Sequence, residues 1–182
     1  VANTRENADG DDINRDYPYP GSRQSDAFKT REALLIKSLQ ESVGFAAAVA
    51  FHSGAEEVLW PWCYTGTGTA DEAFFLAAGK KTAAAMGFSI YQQSYDDYPT
   101  QGEYIDYAYA KSRTLAATFE VSTVKQPSPS LLAAVIDSAR KGAIAWTQAV
   151  SDRSVGRLHA LPAGPRPKFP FTAPFDGHDR LE

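Results

Sequence analysis

The chain has 182 residues, 43% of them apolar and 12% aromatic, enough for one domain with a buried core and too apolar for a chain disordered as a whole. A formal net charge of −4 and the lack of any dense Lys/Arg run leave no electrostatic footprint for nucleic acid or an anionic membrane surface, and neither is an expected partner. One cysteine, Cys63, excludes an internal disulfide framework, and the longest apolar run, residues 45–51, is far below the ~20 residues needed to cross a bilayer.

Residues 11–25 carry Pro18, Pro20 and Gly21 among several Asp and Ser, a composition that favours turns and reads as a loop. Ser25 or Asp26 is expected to cap a helix to about Val43, with Leu35, Leu39 and Val43 on one face and Gly44 as its stop. Residues 45–52, F-A-A-A-V-A-F-H, are apolar without alternation, the pattern of a strand covered on both faces. A second strand follows at 58–62, ending in Pro61, and then a Gly/Thr loop at 64–68. Thr69 with Glu72 three residues on forms a capping box for a helix to Met86, closed by Gly87. A third strand at 88–92, a Tyr/Asp-rich loop at 94–102, a short helix at 103–111 and a fourth strand at 115–121 come next. Ser128 and Pro129 open the last helix, whose buried face is expected to hold Leu132, Val135, Ala139, Ala143, Trp146 and Val150. The prolines at 162, 165, 167, 170 and 174 predict an extended tail over residues 155–182, apart from a folded unit over 1–154.

Strands alternating with helices imply an α/β sheet, in which sites gather at the carboxyl ends of strands. His52 and Glu120 both stand at such ends. Around them the chain offers the stretch R-E-N-A-D-G-D-D-I-N-R over residues 5–15, His52-Ser53-Gly54, and Thr118-Phe119-Glu120. An imidazole can hold a metal, a carboxylate on a buried strand is costly unless used and is pushed toward the pKa of a general base, and Arg and Asn can grip oxyanions. Taken singly each has a plainer use: a hydrogen-bonded core His, a paired Glu, a solvated polar loop. No His-x-x-Glu or His-Glu-x-x-His pair occurs, so the sequence holds one convincing metal ligand. Asp9, Asp11, Asp12 and Asp16 are dense but lack the spacing and distal Glu of a calcium loop.

In this order, and with Tyr98 followed by Ile105-Asp106-Tyr107, these patches resemble the zinc carboxypeptidases of the carboxypeptidase A/B/T kind over nearly all of residues 3–150. The resemblance implies an α/β fold in which this chain forms part of a mixed β-sheet flanked by helices and lacks the N-terminal strands. It implies a zinc-dependent metallocarboxypeptidase, a hydrolase that releases C-terminal residues from peptides, with Zn2+ as cofactor. By the same resemblance His52 is a zinc ligand, Glu120 the general base, and Arg5 the stabiliser of the oxyanion. Asn14 and Arg15 bind the terminal carboxylate of the peptide substrate, Tyr98 covers it, and Asp12 orients an upstream ligand histidine. Ile105 matches the base of the side-chain pocket and suggests a mixed or apolar preference. Glu103 departs from the small residue common at its position, and its carboxylate could meet a basic substrate group or simply face water at a helix start.

The family's His-x-x-Glu would lie upstream of Val1. The expectation is therefore that the chain is a processed or truncated piece, completed by a companion chain or by sequence omitted here, and that the enzyme is secreted or periplasmic. Two alternatives keep parts of this site. One is a hydrolase of the same family acting on γ-glutamyl-diaminopimelate bonds of cell-wall peptides. The other is a non-catalytic module that grips carboxylates after losing its metal.

Overall fold

A computed structural model describes residues 4–158. Four strands, β1 (Ala47–His52), β2 (Glu56–Trp60), β3 (Ile90–Gln93) and β4 (Leu115–Val121), form a mixed sheet in the order β1-β4-β2-β3. β1 runs parallel to β4, β3 parallel to β2, and β2 antiparallel to β4. The helices are α1 (Arg31–Val43), α2 (Glu72–Met86), the single turn α3 (Ser94–Asp97), α4 (Tyr104–Ser112) and α5 (Pro129–Leu158). Among the described residues no helix is long and apolar enough to cross a membrane.

β4 lies inside the sheet and its side chains alternate between two layers. Ala117 and Phe119 face α2 and α5, where they meet Phe75, Trp60 and Trp146. Ala116 faces the other way, onto Ile105, Ala108 and Cys63. Trp146 is fully buried, and its indole N–H donates to the Leu115 carbonyl at 2.9 Å, so one of the two large core tryptophans also satisfies a strand end. Gly142 makes the close approach of α5 possible, because a Cβ there would fall 2.4 Å from Met86 Sδ. At the other end of this helix pair, Asp71 before α2 accepts from Arg153 of α5, from Tyr109 at 2.8 Å and from Arg113 at 2.9 Å, which ties three helices together.

Several boundaries differ from expectation for identifiable reasons. α1 is capped by Thr30, not by Ser25 or Asp26: the Asp16 carboxylate accepts from the backbone N–H groups of Lys29 and Thr30 and from the Thr30 hydroxyl, and so fixes the cap. Asp26 instead pairs with Arg23 at 3.1 Å. The face of α1 expected to be buried is exposed, Leu35 to 70% and Val43 to 57%, because nothing among the described residues packs on it. β1 is likewise not covered on both faces. It pairs only with β4 among the described strands, and Phe51 is 53% exposed.

At α2 only half of the capping box forms: Thr69 N–H donates to the Glu72 carboxylate at 3.2 Å, but the Thr69 hydroxyl accepts from Asp71, and the helix starts at Glu72. Residues 94–97 form the turn α3 rather than open loop. In α5 the buried face is Gly142, Trp146 and Val150, while Leu132 is exposed. α5 runs antiparallel to α2, and Ser138 meets the carbonyl of Met86 where α2 ends, so the turns before Ser138 have passed beyond that helix. α5 continues to Leu158, and the proline-rich stretch after it, with His159 and His178, lies outside the described residues.

Candidate active site

β1 and β4 bring His52 and Glu120 together, since the two are direct register partners at the carboxyl ends of parallel strands. His52 Nδ1 stands 3.9 Å from Glu120 Oε1, too far for a hydrogen bond. Glu120 Oε2 and Thr118 Oγ1 are buried without a protein partner, and Thr118 lies two residues before Glu120 on the same strand face. Burial, and then the charges of Glu57 and Asp97, push Glu120 up to about 7, with Arg5 opposing. Burial lowers the pKa of His52 and so favours the neutral imidazole. Both groups shift toward neutrality, so the contact is an approach of two uncommitted groups and not an ion pair.

The loop before α1 supplies the cations. Arg5 donates through Nε to Asp12 at 2.6 Å, and Asp12 also accepts from the Asn14 N–H at 3.1 Å. Asn14 in turn accepts from the Tyr104 N–H at 3.0 Å, capping α4 from a distant part of the chain. Gly102 allows this docking. Its φ of +79° is left-handed, and a Cβ there would lie 2.5 Å from the Arg15 carbonyl oxygen. Glu103, at the start of α4 and 6% exposed, accepts from Thr100 at 2.5 Å, from Arg15 at 3.1 Å and from Asn14 at 3.3 Å.

A narrow cavity opens between these pieces. Of the residues singled out in the sequence, Arg5, Asn14, His52, Tyr98, Glu103 and Glu120 line it, with Tyr98 half exposed. Three do not. Arg15 lies behind Glu103, Asp12 is held by Arg5, and Ile105 is buried against Cys63, Ala108 and Ala116. Leu59, Ser94 and Asp97 complete the wall and were not anticipated, and Thr118, quoted in the patch with Glu120 but given no role there, lines it too. Strand alternation from Glu120 could have found Thr118; Asp97 and Thr100 carry no local signal.

As a metal site the described residues are incomplete, for no group of three His, Cys, Asp or Glu side chains converges among them. His52, neutral and lining the cavity, fits one corner of a zinc site.

Against known proteins, the family model for zinc carboxypeptidase matches residues 1–141. The chain belongs to the zinc carboxypeptidase family. Solved structures agree on the fold. Carboxypeptidase A from Helicoverpa armigera aligns with a TM-score of 0.69 and 16% identity, over 79% of this chain and 42% of that one. Bovine thrombin-activatable fibrinolysis inhibitor, in complex with tick carboxypeptidase inhibitor, aligns with a TM-score of 0.67 and 17% identity, over 81% and 58%. A further structure of thrombin-activatable fibrinolysis inhibitor gives 0.61 and 16%, over 84% and 47%. This zinc carboxypeptidase chain thus spans between 42% and 58% of the length of these relatives. No curated protein matches its sequence significantly.

Proposed function

We propose that the chain forms the C-terminal share of the catalytic site of a zinc-dependent metallocarboxypeptidase, which hydrolyses the last peptide bond of a peptide. The observation that carries this reading is the pairing of His52 and Glu120 at adjacent strand ends, facing one cavity with Arg5 on its wall. His52 would be one ligand of zinc, with the others supplied from outside the described residues. Zinc, when bound, would supply Lewis-acid polarisation of water and of the scissile carbonyl.

The chain's own groups do the rest. Glu120, with a buried oxygen free of protein partners, takes a proton from the attacking water and delivers it to the leaving amine. Arg5, fixed through Nε by Asp12, turns its guanidinium edge to the carbonyl oxygen as negative charge develops there. Tyr98 at the mouth can close over the peptide and exclude water. A secreted or periplasmic setting belongs to the same proposal.

A non-catalytic module that binds carboxylates is the second reading, favoured by the lack of three converging ligands among the described residues. The desolvated, unbonded Glu120 speaks against it, since a binder has no use for a costly buried base. The test is hydrolysis of a dansylated peptide by the whole zinc-loaded protein, beside its C-terminal amide and a cell-wall muropeptide. Cleavage of the free acid, with kcat lowered about 10²–10⁴-fold in Glu120→Gln, supports the proposal. Binding of the peptide without cleavage in the zinc-loaded protein would favour the module.

A further inference from the structure

The turns that follow β1 and β4 are tied to each other just past the catalytic pair. Gly54 N–H donates to the Ser122 carbonyl at 2.7 Å, Ser53 Oγ donates to the Lys125 carbonyl at 2.8 Å, and Val124 N–H donates to Ser122 Oγ at 3.1 Å. These bonds fix the backbone that carries the exposed Lys125 beyond the end of β4. Gly54 has a φ of +143°, and a Cβ there would meet Lys125 Cγ and Cε, each at 3.8 Å, and Glu120 Oε2 at 4.0 Å. The lysine stem and the unbonded oxygen of Glu120 therefore flank the same open point above Gly54. Among the described residues Lys125 makes no ion pair. Glu120 does not capture its ammonium group, since Oε2 has no hydrogen-bond partner. Nor does Lys125 line the cavity that holds Asn14, Tyr98 and Thr118. Thr118 precedes Glu120 on β4 and Lys125 follows it, so cavity and lysine lie to the two sides of that residue.

We infer that Lys125 binds the part of the peptide that precedes the scissile bond and selects substrates with an acidic side chain there. The inference rests on the carboxypeptidase reading, and it deepens that reading by naming a substrate class. With the leaving residue in the cavity and the scissile carbonyl between Glu120 and Arg5, the rest of an extended peptide departs over Gly54, where the missing side chain leaves room for its backbone. Residues of an extended chain advance about 3.3 Å each, so the first or second side chain before the cut comes within reach of the Lys125 ammonium group. A carboxylate at that place meets an unpaired cation in a charge-assisted bond, whereas the isosteric amide offers only a neutral partner.

The test compares acetyl-Ala-Glu-Leu with acetyl-Ala-Gln-Leu, and acetyl-Glu-Ala-Leu with acetyl-Gln-Ala-Leu, each peptide also made with Lys in place of the terminal Leu. In the whole zinc-loaded protein, kcat/KM is expected to favour the Glu member of at least one pair about three- to fivefold, the size of an exposed charge pair, and the ratio should fall toward one at high salt. Lys125→Met should erase the ratio and Lys125→Arg should keep it. A merely structural role of Lys125 would shift both members of a pair alike. Ratios under about twofold in every pair, or a ratio that survives in Lys125→Met, overturn the inference. Calorimetric binding of the same peptides separates its failure from that of the reading beneath it. If no peptide is cut, tighter binding of the Glu member that is lost in Lys125→Met keeps the recognition by Lys125 while the peptidase reading fails. Cleavage without a Glu preference removes the inference alone, and neither cleavage nor a binding preference removes both.

Discussion

Glu120 shows how one side chain carries both chemistry and cost. Its pKa stands near 7 in the fold against 4.5 for an ordinary glutamate, chiefly through burial. A carboxyl group whose folded value is raised binds its proton more tightly in the native state, so ionisation penalises the fold as pH climbs from the unfolded value to the folded one, and the full penalty holds above both. Glu120→Gln in the metal-free chain is therefore expected to melt higher than the parent at about pH 8 and to show no gain at about pH 4. Equal differences at the two pH values would place the effect in packing rather than charge.

Asp71 has the opposite sign. Burial would raise it, but the hydrogen bonds from Arg153 and Tyr109 and the charges of Arg153 and Arg113 outweigh burial and hold it below the usual carboxylate range. Its stabilisation is complete above that range and is lost as pH falls toward the depressed folded value. Asp71→Ala is expected to cost roughly 3 kcal/mol in urea unfolding near neutral pH, the lower end for breaking a buried pair, because Arg113 still reaches water. The deficit should shrink in acid; a deficit independent of pH would refute the assignment.

Among the elements, the loop of residues 4–17 matters most, because it has little regular structure and yet places Arg5, Asn14 and Arg15. It is docked by the hydrogen bond from Tyr17 N–H to the Gly102 carbonyl at 3.1 Å and by the cap that Asn14 gives α4. Gly102→Ala forces a side chain against the Arg15 backbone in a left-handed conformation, and should cost more than ~1 kcal/mol by denaturant titration. It should also lower kcat/KM, since the loop places both Arg5 and Asn14 on the cavity wall. An unchanged kcat/KM would contradict that role of the loop.

Over the described residues the molecule is a sheet with one well-filled layer and one open side. Trp146, Phe75 and Phe119 fill the layer under α2 and α5, while Leu35 of α1 and Phe51 of the edge strand β1 stand in water. An unpaired strand edge beside exposed apolar side chains promotes association. The 182-residue chain alone is therefore expected to self-associate with concentration in sedimentation, and Phe51→Lys to reduce this. With one imidazole at the cavity among the described residues, the same chain is expected to keep well under one equivalent of zinc after dialysis. Tight, stoichiometric zinc would show a ligand set that the described residues do not form.

Much of this was legible in the sequence where the signal is local. The span of β4, the glycine stops of α1 and α2 and the proline start of α5 follow from short-range rules, and residues 115–121 match the strand as read. The order of Arg5, Asn14, Arg15, His52 and Glu120 along the chain was enough to indicate the zinc carboxypeptidase family. Other features needed the folded chain. The cap of α1 depends on Asp16, fourteen residues before Thr30, and the exposure of Leu35 depends on what packs above it, which helical periodicity does not record. The engagement of Arg15 by Glu103, 88 positions away, is of the same kind. Sequence determined which chemical groups are present and which strand ends carry them, because those depend on neighbours in the chain. Only the tertiary structure decided that an internal carboxylate holds the proposed substrate's donors, because electrostatic balance belongs to groups brought together in space.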